Sequence, residues 1–257
     1  MSARAAIAWL VAAAICADAS TAWAQVPANA PELSQAIYGE IDALARQTRR
    51  SGTLPRWSDA AQREVLARFW DEDALLGRPP HRSAEVPALI GIGESHSALL
   101  KTYLLFAKKS ADLPDMAANG FEFQDEIARS MAFQIAVMAA SVPALEDFIA
   151  GLPAAELTEI RRQGLRQMRL GFSGAIAGTA LFARSPGLSE ANRDIVAGAL
   201  ARHAASLARS LELSDRRAGV ANAAAALPAL AANARADMEA FIAAMSRTDC
   251  ESLCAIP

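Results

Sequence analysis

The sequence is poor in the residues that build strands, metal sites and covalent frameworks. Aromatic side chains make up 6% of the 257 residues, and there are three cysteines and three histidines. The histidines lie far apart, without the His-x-x-x-His or Glu-x-x-His spacing that places two ligands on one helical face, so we predict no metal site and no cofactor. With 25 basic and 28 acidic side chains the formal charge is −3, which leaves no global field to attract nucleic acid.

Alanine, the best helix former, supplies about a quarter of the residues, and 53% of all side chains are hydrophobic. Apolar residues recur at spacings of three and four, which predicts an all-α fold: a bundle of about seven or eight helices forming a single domain over residues 25–257. At most one short strand is expected, near residues 86–92, where a brief apolar run fits either a buried strand or a helix.

Proline and serine mark the expected helix boundaries. Pro31 is predicted to open the first helix, because a helix does not need the N–H of its first residue. Ser58, Ser189 and Ser214 are predicted N-caps, and Pro143 is expected to start a new helix.

A group of small residues suggests where two helices approach closely. Gly171, Gly174 and Gly178 recur at helical spacing within an apolar segment. We predict that they mark a seam buried inside the bundle.

The first 24 residues have the organisation of a cleavable signal peptide. Arg4 precedes an apolar run from Ala5 to Ala17, and Ala22 and Ala24 supply the small residues of a peptidase site. Asp18 ends the run well short of the length that spans a bilayer. We therefore expect export to the periplasm or the extracellular space, and no transmembrane anchor after cleavage.

Cysteine usage fits an oxidising compartment. Cys16 leaves with the leader, whereas Cys250 and Cys254 remain and are expected to form a disulfide that staples a C-terminal tail, residues 246–257. The other end of the mature chain, residues 25–30, is expected to be flexible.

The segment Gly93–Ser97 offers the strongest hint of catalysis. It follows an apolar run and precedes a helix, as does the turn that mounts a nucleophilic serine, here Ser95, although the motif requires glycine at its last position. His96 adjoins Ser95 too closely to serve easily as its base, so His81 or His203 would have to approach from elsewhere. The favoured interpretation is a helix entrance without catalytic function.

The same region contains the candidate ligand pocket. Glu94, His96 and Lys101 are its titratable members and lie beside apolar residues, the usual setting of a small-molecule site. Glu122, Asp125 and Glu126 have the composition of paired acid–base carboxylates, but we interpret them as residues in the first turns of a helix, where the macrodipole favours anions.

A basic stripe is the candidate surface for an anionic partner. Arg162, Arg166 and Arg169 lie four and three residues apart, on one helical face, and an apolar segment follows them. Such a stripe suits a membrane surface with anionic headgroups, but a solvated face partly neutralised by Glu156 and Glu159 is the favoured alternative.

No complete nucleophile motif, metal spacing or phosphate loop occurs, whereas several helix faces suit partner recognition. The sequence therefore predicts an exported helical protein that binds or scaffolds a protein or small-molecule partner, and enzymatic activity is not expected. The alternatives are a serine-dependent hydrolase using Ser95 and a peripheral membrane protein using the arginine stripe.

The leader generates the first prediction. Cleavage after Ala24 leaves 257 − 24 = 233 residues beginning at Gln25, and intact-mass measurement of the exported protein should give this product. Ala24→Arg should block cleavage, because the peptidase site requires a small side chain there. An exported wild-type chain of 257 residues would contradict the assignment.

Overall fold

A computed structural model describes residues 26–108, 113–248, 250 and 253–256. The predicted leader, residues 1–24, lies outside the described residues. Within them the chain is all-α, as the sequence predicts. The helices are α1 (Ala30–Thr48), α2 (Ala60–Phe69), α3 (Glu72–Leu76), α4 (Val86–Leu104), α5 (Met116–Glu122), α6 (Gln124–Ala150), α7 (Glu159–Ala183), α8 (Glu190–Ser210), α9 (Leu213–Ala226) and α10 (Ala232–Met245).

The possible strand near residues 86–92 is helical in the structure. Residues 86–92 form the first two turns of α4, with Pro87 in the opening turn. The buried residues Val86, Leu89 and Ile90 continue at helical spacing to Gly93 and His96. The helical spacing of buried residues over the whole of α4 decides the conformation, because a helix of 19 residues buries one continuous apolar face, which a short strand would not.

Helix α6 lies at the centre of the bundle, between α4 and α8. Every residue from Met131 to Val142 is buried except Gln134. Two polar contacts show that α8 runs beside α6 in the same direction. Asn192 at the start of α8 donates to Asp125, and Ser206 further along donates to the carbonyl of Ala139. The two helices therefore form the core that the other helices cover.

Within the part of the chain that the structure describes, α6 alone is long and apolar enough to cross a membrane, judged by length and composition. Its most apolar stretch has a mean hydropathy of 1.4, and 61% of that stretch is buried inside the bundle. A core helix meets the same criteria, so this observation is only weak support for a membrane span.

Pro143 does not restart a helix, contrary to the prediction, but lies inside α6. A proline in a helix leaves the carbonyl four residues earlier without its usual N–H donor. Here that carbonyl belongs to Ala139, and the Ser206 hydroxyl donates to it over 2.8 Å. Helix α8 thus replaces the missing hydrogen bond, which allows α6 to continue.

Of the three predicted N-caps, Ser189 is confirmed, whereas Ser58 and Ser214 do not cap their helices. Ser189 caps α8 by accepting from the backbone of Asn192. Asp59, the neighbour of Ser58, caps α2, because its carboxylate reaches the N–H of Gln62. Ser214 lies inside α9, which already begins at Leu213.

Both ends of the described chain are attached to the bundle by buried charged side chains. The Glu85 carboxylate accepts from the N–H of Val26 over 2.7 Å, and Val26 is itself buried, so the segment expected to be flexible is held from residue 26 onward. At the other end, Cys250 and Cys254 form the predicted disulfide. Arg169 holds the tail by donating to the carbonyl of Ile256 over 2.7 Å.

The close helix contact predicted at Gly171, Gly174 and Gly178 is found elsewhere in the structure. A Cβ atom added at Gly174 or Gly178 would meet nothing within 4 Å, and Gly174 is exposed. The close approach occurs instead between α7 and α9, where a Cβ on Gly219 would lie 2.8 Å from Cγ2 of Ile176. The spacing of glycines identifies a helical face but not the side on which a neighbour packs.

This difference predicts opposite effects of two similar substitutions. Gly219→Ala should lower the free energy of unfolding by about 1–3 kcal/mol, because the methyl group forces α9 away from Ile176. Gly174→Ala should be neutral or raise it by up to about 1 kcal/mol, because alanine is the better helix former and the space is open. Urea unfolding followed by circular dichroism measures both, and equal effects would contradict the packing described here.

Candidate functional site

Ser95 lies well inside α4 and not on a turn. Ser95 is buried, and its hydroxyl donates to the carbonyl of Gly91 over 3.1 Å, with the amide oxygen of Gln35 at 3.4 Å. Because residues 93–97 are helical, the strained strand-to-helix turn that exposes a nucleophile is not formed. The geometry on which the hydrolase alternative depends is therefore missing.

The two histidines considered as bases face other groups. Nδ1 of His81 lies 3.3 Å from the Glu85 carboxylate, and Nε2 of His203 lies 4.0 Å from that of Glu72. No hydrogen bond joins either imidazole to Ser95 among the described residues. The structure does not bring a Ser–His pair together.

His96, the third histidine, belongs to the core. Its ring stacks between those of Phe69 and Phe133, with centroid distances of 3.8 and 3.9 Å. One ring nitrogen faces the carbonyl of Ile92 and the other that of Phe69. Burial lowers the pKa of His96 to about 4, although both carbonyl contacts favour the protonated form, so the ring is neutral at pH 7.

The proposed pocket of Glu94, His96 and Lys101 is not formed. Glu94 and Lys101 are seven residues apart on the exposed side of α4, whereas His96 points into the core. Two residues along a helix is about 200° of rotation, which places a side chain on the opposite face. The three titratable groups therefore cannot contact one ligand.

The arginine stripe is also divided. Arg169 is 4% exposed, and its guanidinium lies 3.1 Å from the Glu212 carboxylate while it holds the C-terminal tail. Arg162 and Arg166 are partly exposed, and Arg166 pairs with Glu159 on the surface. The prediction of three arginines available to an anionic partner is therefore wrong, because Arg169 is buried and holds the C-terminal tail.

Glu126 is the centre of a buried polar cluster whose other members, Arg56 and Trp57, helical spacing did not predict. Glu126 is 1% exposed and accepts from the backbone N–H of Trp57, while Nε of Arg56 lies 3.8 Å away. Burial raises the pKa of the Glu126 carboxyl, and the Trp57 hydrogen bond lowers it. Arg129 lies over the Trp57 ring at 3.9 Å. Asp125 and Glu126 lie in the first turn of α6, as predicted, whereas Glu122 is the last residue of α5. The segment that covers Glu126 comes from a distant part of the sequence.

The described residues include no group of three or more His, Cys, Asp or Glu side chains that could hold a metal ion. The buried carboxylates of Glu85 and Glu126 are instead used by backbone N–H groups. The two carboxylates therefore hold the backbone at Val26 and Trp57 in place.

The most unusual surface lies on α7. One side of this helix is exposed or partly exposed over five turns and carries no charged residue. We call it the α7 face; it consists of Gln163, Gln167, Leu170, Gly174, Gly178 and Leu181. Leu170 is 58% exposed and Leu181 is 50% exposed. Exposed helix faces normally carry charged residues, so an uncharged face with two half-exposed leucines is unusual for a helix surface in contact with water.

Helix α9 extends this surface. The Ser173 hydroxyl donates to the carbonyl of Asp215, and the Asn222 amide donates to that of Ala177, so α7 and α9 run in the same direction side by side. The exposed residues of α9 next to the α7 face are also small and uncharged: Ser214, Ala218, Ala221 and Ala225. The exposed residues of the two helices therefore lie side by side on one surface of the bundle.

Comparisons of the chain with protein-family models, with curated proteins and with solved structures found no match.

The burial of His96 predicts a loss of stability in acid. Its pKa is lowered from 6.5 in the unfolded chain to about 4 in the folded one, so only the unfolded chain takes up a proton between these values. The stabilisation is therefore complete above pH 6.5 and decreases as the pH falls towards 4, by about 3 kcal/mol for this group.

Urea unfolding at pH 7 and at pH 4.5 tests this effect. His96→Phe keeps a ring between Phe69 and Phe133 but removes the titration, so the variant should lose less stability on acidification than the wild type. His203→Gln provides the comparison for a second histidine whose pKa burial lowers to about 4. An unchanged pH dependence in His96→Phe would contradict the buried, neutral state of His96.

Proposed function

We propose that the protein is an exported binding or scaffolding protein that docks its partner on the α7 face and the adjoining exposed residues of α9. The observation that carries the proposal is the absence of charge on the α7 face together with two half-exposed leucines. A solvated helix face gains nothing from exposed leucine, whereas an interface buries it at about 25 cal/mol per Å².

The two glycines of the α7 face support docking of a helix. Nothing in the described chain lies within 4 Å of a Cβ at Gly174 or Gly178, so their backbone is open to an approaching partner. Small residues allow helix axes to come close and gain van der Waals contact.

Export is the second part of the proposal. It is supported by the leader-like pattern of the first 24 residues, and the disulfide between Cys250 and Cys254 fits an oxidising compartment. We do not propose hydrolase activity, because Ser95 is a hydrogen-bonded residue inside α4.

Site-specific photo-cross-linking in the exported fraction tests the docking surface. A photoreactive phenylalanine analogue at Gly174 should form a discrete cross-linked product, and Leu181→Glu in the same chain should abolish it by placing a charge in the interface. Gly39 of α1 is the matched control, because it is also an exposed helical glycine with nothing within 4 Å of an added Cβ. Equal cross-linking at the two positions would refute the proposal.

A further inference from the structure

We infer that the protein inserts one end of its bundle into the surface of a lipid bilayer that carries anionic headgroups. This surface is different from the α7 face, so the inference goes beyond the proposed docking function. The end in question is formed by α5 and by the residues between α4 and α5. We call its exposed apolar residues the α5 tip; they are Leu105, Leu113, Pro114, Met116, Ala117, Ala118 and Phe121.

The α5 tip lies at one end of the bundle because α4 and α6 are antiparallel. The ring of His96 in α4 stacks on that of Phe133 in α6, and Tyr103, further along α4, contacts Phe123 just before α6. Helix α5 connects the end of α4 with the start of α6. It therefore lies beyond the last turn of α4, where the chain faces the surroundings.

The exposed residues of this segment are almost all apolar. Leu113 is 92% exposed, Phe121 61%, Leu105 52% and Met116 43%. Within residues 113–121, Asp115 is the one exposed residue with a polar side chain. Contact of so many apolar groups with water is unfavourable, so such a patch is typical of a surface that a membrane or another protein covers.

The shape of the tip favours a bilayer over a protein. Successive residues of a helix are about 100° apart, so the exposed Met116, Ala117 and Ala118 spread over about 200° of the circumference of α5. Such a helix projects from the end of the bundle and does not lie flat in its surface. A protein partner would need a matching groove, whereas the interface of a bilayer accepts projecting apolar side chains without one.

Two side chains pair backbone groups at the tip. The buried Asn119 donates its side-chain amide to the carbonyl of Leu104 over 3.0 Å and to that of Phe106 over 2.8 Å. Asp115 accepts from two backbone N–H groups in the first turn of α5, each over 3.0 Å. Because unpaired backbone groups are costly in an apolar environment, these contacts lower the cost of moving the tip out of water.

The end of α1 places two arginines beside the tip. Arg49 and Arg50 are exposed, and the guanidinium of Arg49 lies 5.4 Å from the centre of the Phe106 ring, next to Leu105 in the chain. No ion pair of either arginine occurs within the part of the chain that the structure describes. With the apolar tip in the bilayer, both guanidinium groups lie at the level of the headgroups, where basic side chains strengthen binding to anionic lipid.

Other charges near the tip balance one another. Lys108 pairs with Glu122 over 3.1 Å, and the sequence of residues 109–112 contains one basic and one acidic residue. On the side of α7 and α8, Arg184 and Glu190 are both exposed and add one charge of each sign. The two arginines of α1 are then opposed by the single carboxylate that caps α5. The border of the tip is therefore basic on the side of α1, as attraction to anionic headgroups requires.

Flotation of the exported chain with vesicles measures membrane binding. The wild type should bind vesicles of phosphatidylethanolamine and phosphatidylglycerol. Leu113→Glu should weaken this binding by at least about tenfold, because the substitution places a charge where the apolar layer begins. Leu113 is 92% exposed, so the variant should keep the wild-type fold, which circular dichroism and urea unfolding check.

Ile160→Glu is the matched control and should leave vesicle binding unchanged. Ile160 is 74% exposed in the first turn of α7. The last turn of this helix contacts α5, since a Cβ at Gly120 would lie 3.9 Å from the ring of Phe182, so Ile160 is at the opposite end of the bundle. A wild type that does not bind, or equal binding of Leu113→Glu and Ile160→Glu, would overturn the inference.

Two double charge reversals test the contribution of the headgroups. Arg49→Glu/Arg50→Glu should weaken binding to the anionic vesicles by at least about tenfold, because both arginines are placed at the lipid surface. Arg162→Glu/Arg166→Glu changes the net charge equally but lies in the first two turns of α7, so it should weaken binding by less than about twofold. Equal weakening by the two variants would contradict the placement of the α1 end at the headgroups and overturn the inference.

A polarity-sensitive fluorophore tests insertion directly. Cys250 and Cys254 are paired, so a thiol introduced by Leu113→Cys can be labelled selectively. Its emission should shift to shorter wavelength with vesicles and should be quenched by lipids that carry a spin label near the headgroups, because the side chain enters the boundary of headgroups and acyl chains. The same fluorophore on Ile160→Cys should not respond. An unchanged emission from position 113 in a chain that binds vesicles would exclude insertion and overturn the inference.

Two further outcomes separate this inference from the docking function of the α7 face. Leu170→Glu, within the α7 face, should leave vesicle binding unchanged. Loss of binding in this variant but not in Leu113→Glu would move the lipid contact to the α7 face and overturn the inference. A photoreactive residue at position 113 that cross-links to a protein, in a chain that binds no vesicles, would identify a protein as the occupant and also overturn it. Docking on the α7 face is measured independently, by the cross-link from position 174.

Discussion

The burial of α6 on nearly all sides is the constraint on which the rest of the structure depends. A helix with an almost continuous apolar run cannot remain in water, so α4 and α8 must pack along it and further helices must cover those two. The proline inside α6 makes this arrangement specific, because Ser206 of α8 has to lie where it satisfies the carbonyl of Ala139. A helix slipped by one turn would leave that carbonyl buried without a donor.

Buried polar groups hold the remaining segments in position around this core. Glu85 binds the backbone of Val26, Glu126 binds that of Trp57, and Arg169 binds that of Ile256. In each case a charged side chain satisfies backbone groups of a segment that has few hydrogen bonds of its own. These residues would attract attention as catalytic groups in a search based on burial alone, yet their contacts explain them as attachments of the chain.

The α7 face differs from these internal sites because nothing in the described chain uses it. Its inner side packs through Ile176 against Gly219, and its outer side presents leucine and open glycine to the surroundings. The helix is therefore apolar on two sides, although only one side faces the core. An apolar outer side reduces solubility unless it is covered, and this physical conflict is why we propose a docking role for this surface rather than for the interior.

The sequence alone determined the helical class, the first helix with Pro31 in its opening turn, the cap at Ser189 and the pairing of Cys250 with Cys254, since each depends on local propensity or on short spacing. It could not decide whether Val86 begins a strand, because a brief apolar run fits both periods. It also could not show that His96 and Arg169 are buried while Gly174 is exposed. Those outcomes depend on which helix packs against which face, and contacts such as Phe133 on His96 or Leu253 near Arg169 join residues far apart in the chain. Only the tertiary structure decided them, because one-dimensional periodicity defines a face of a helix without specifying its neighbour.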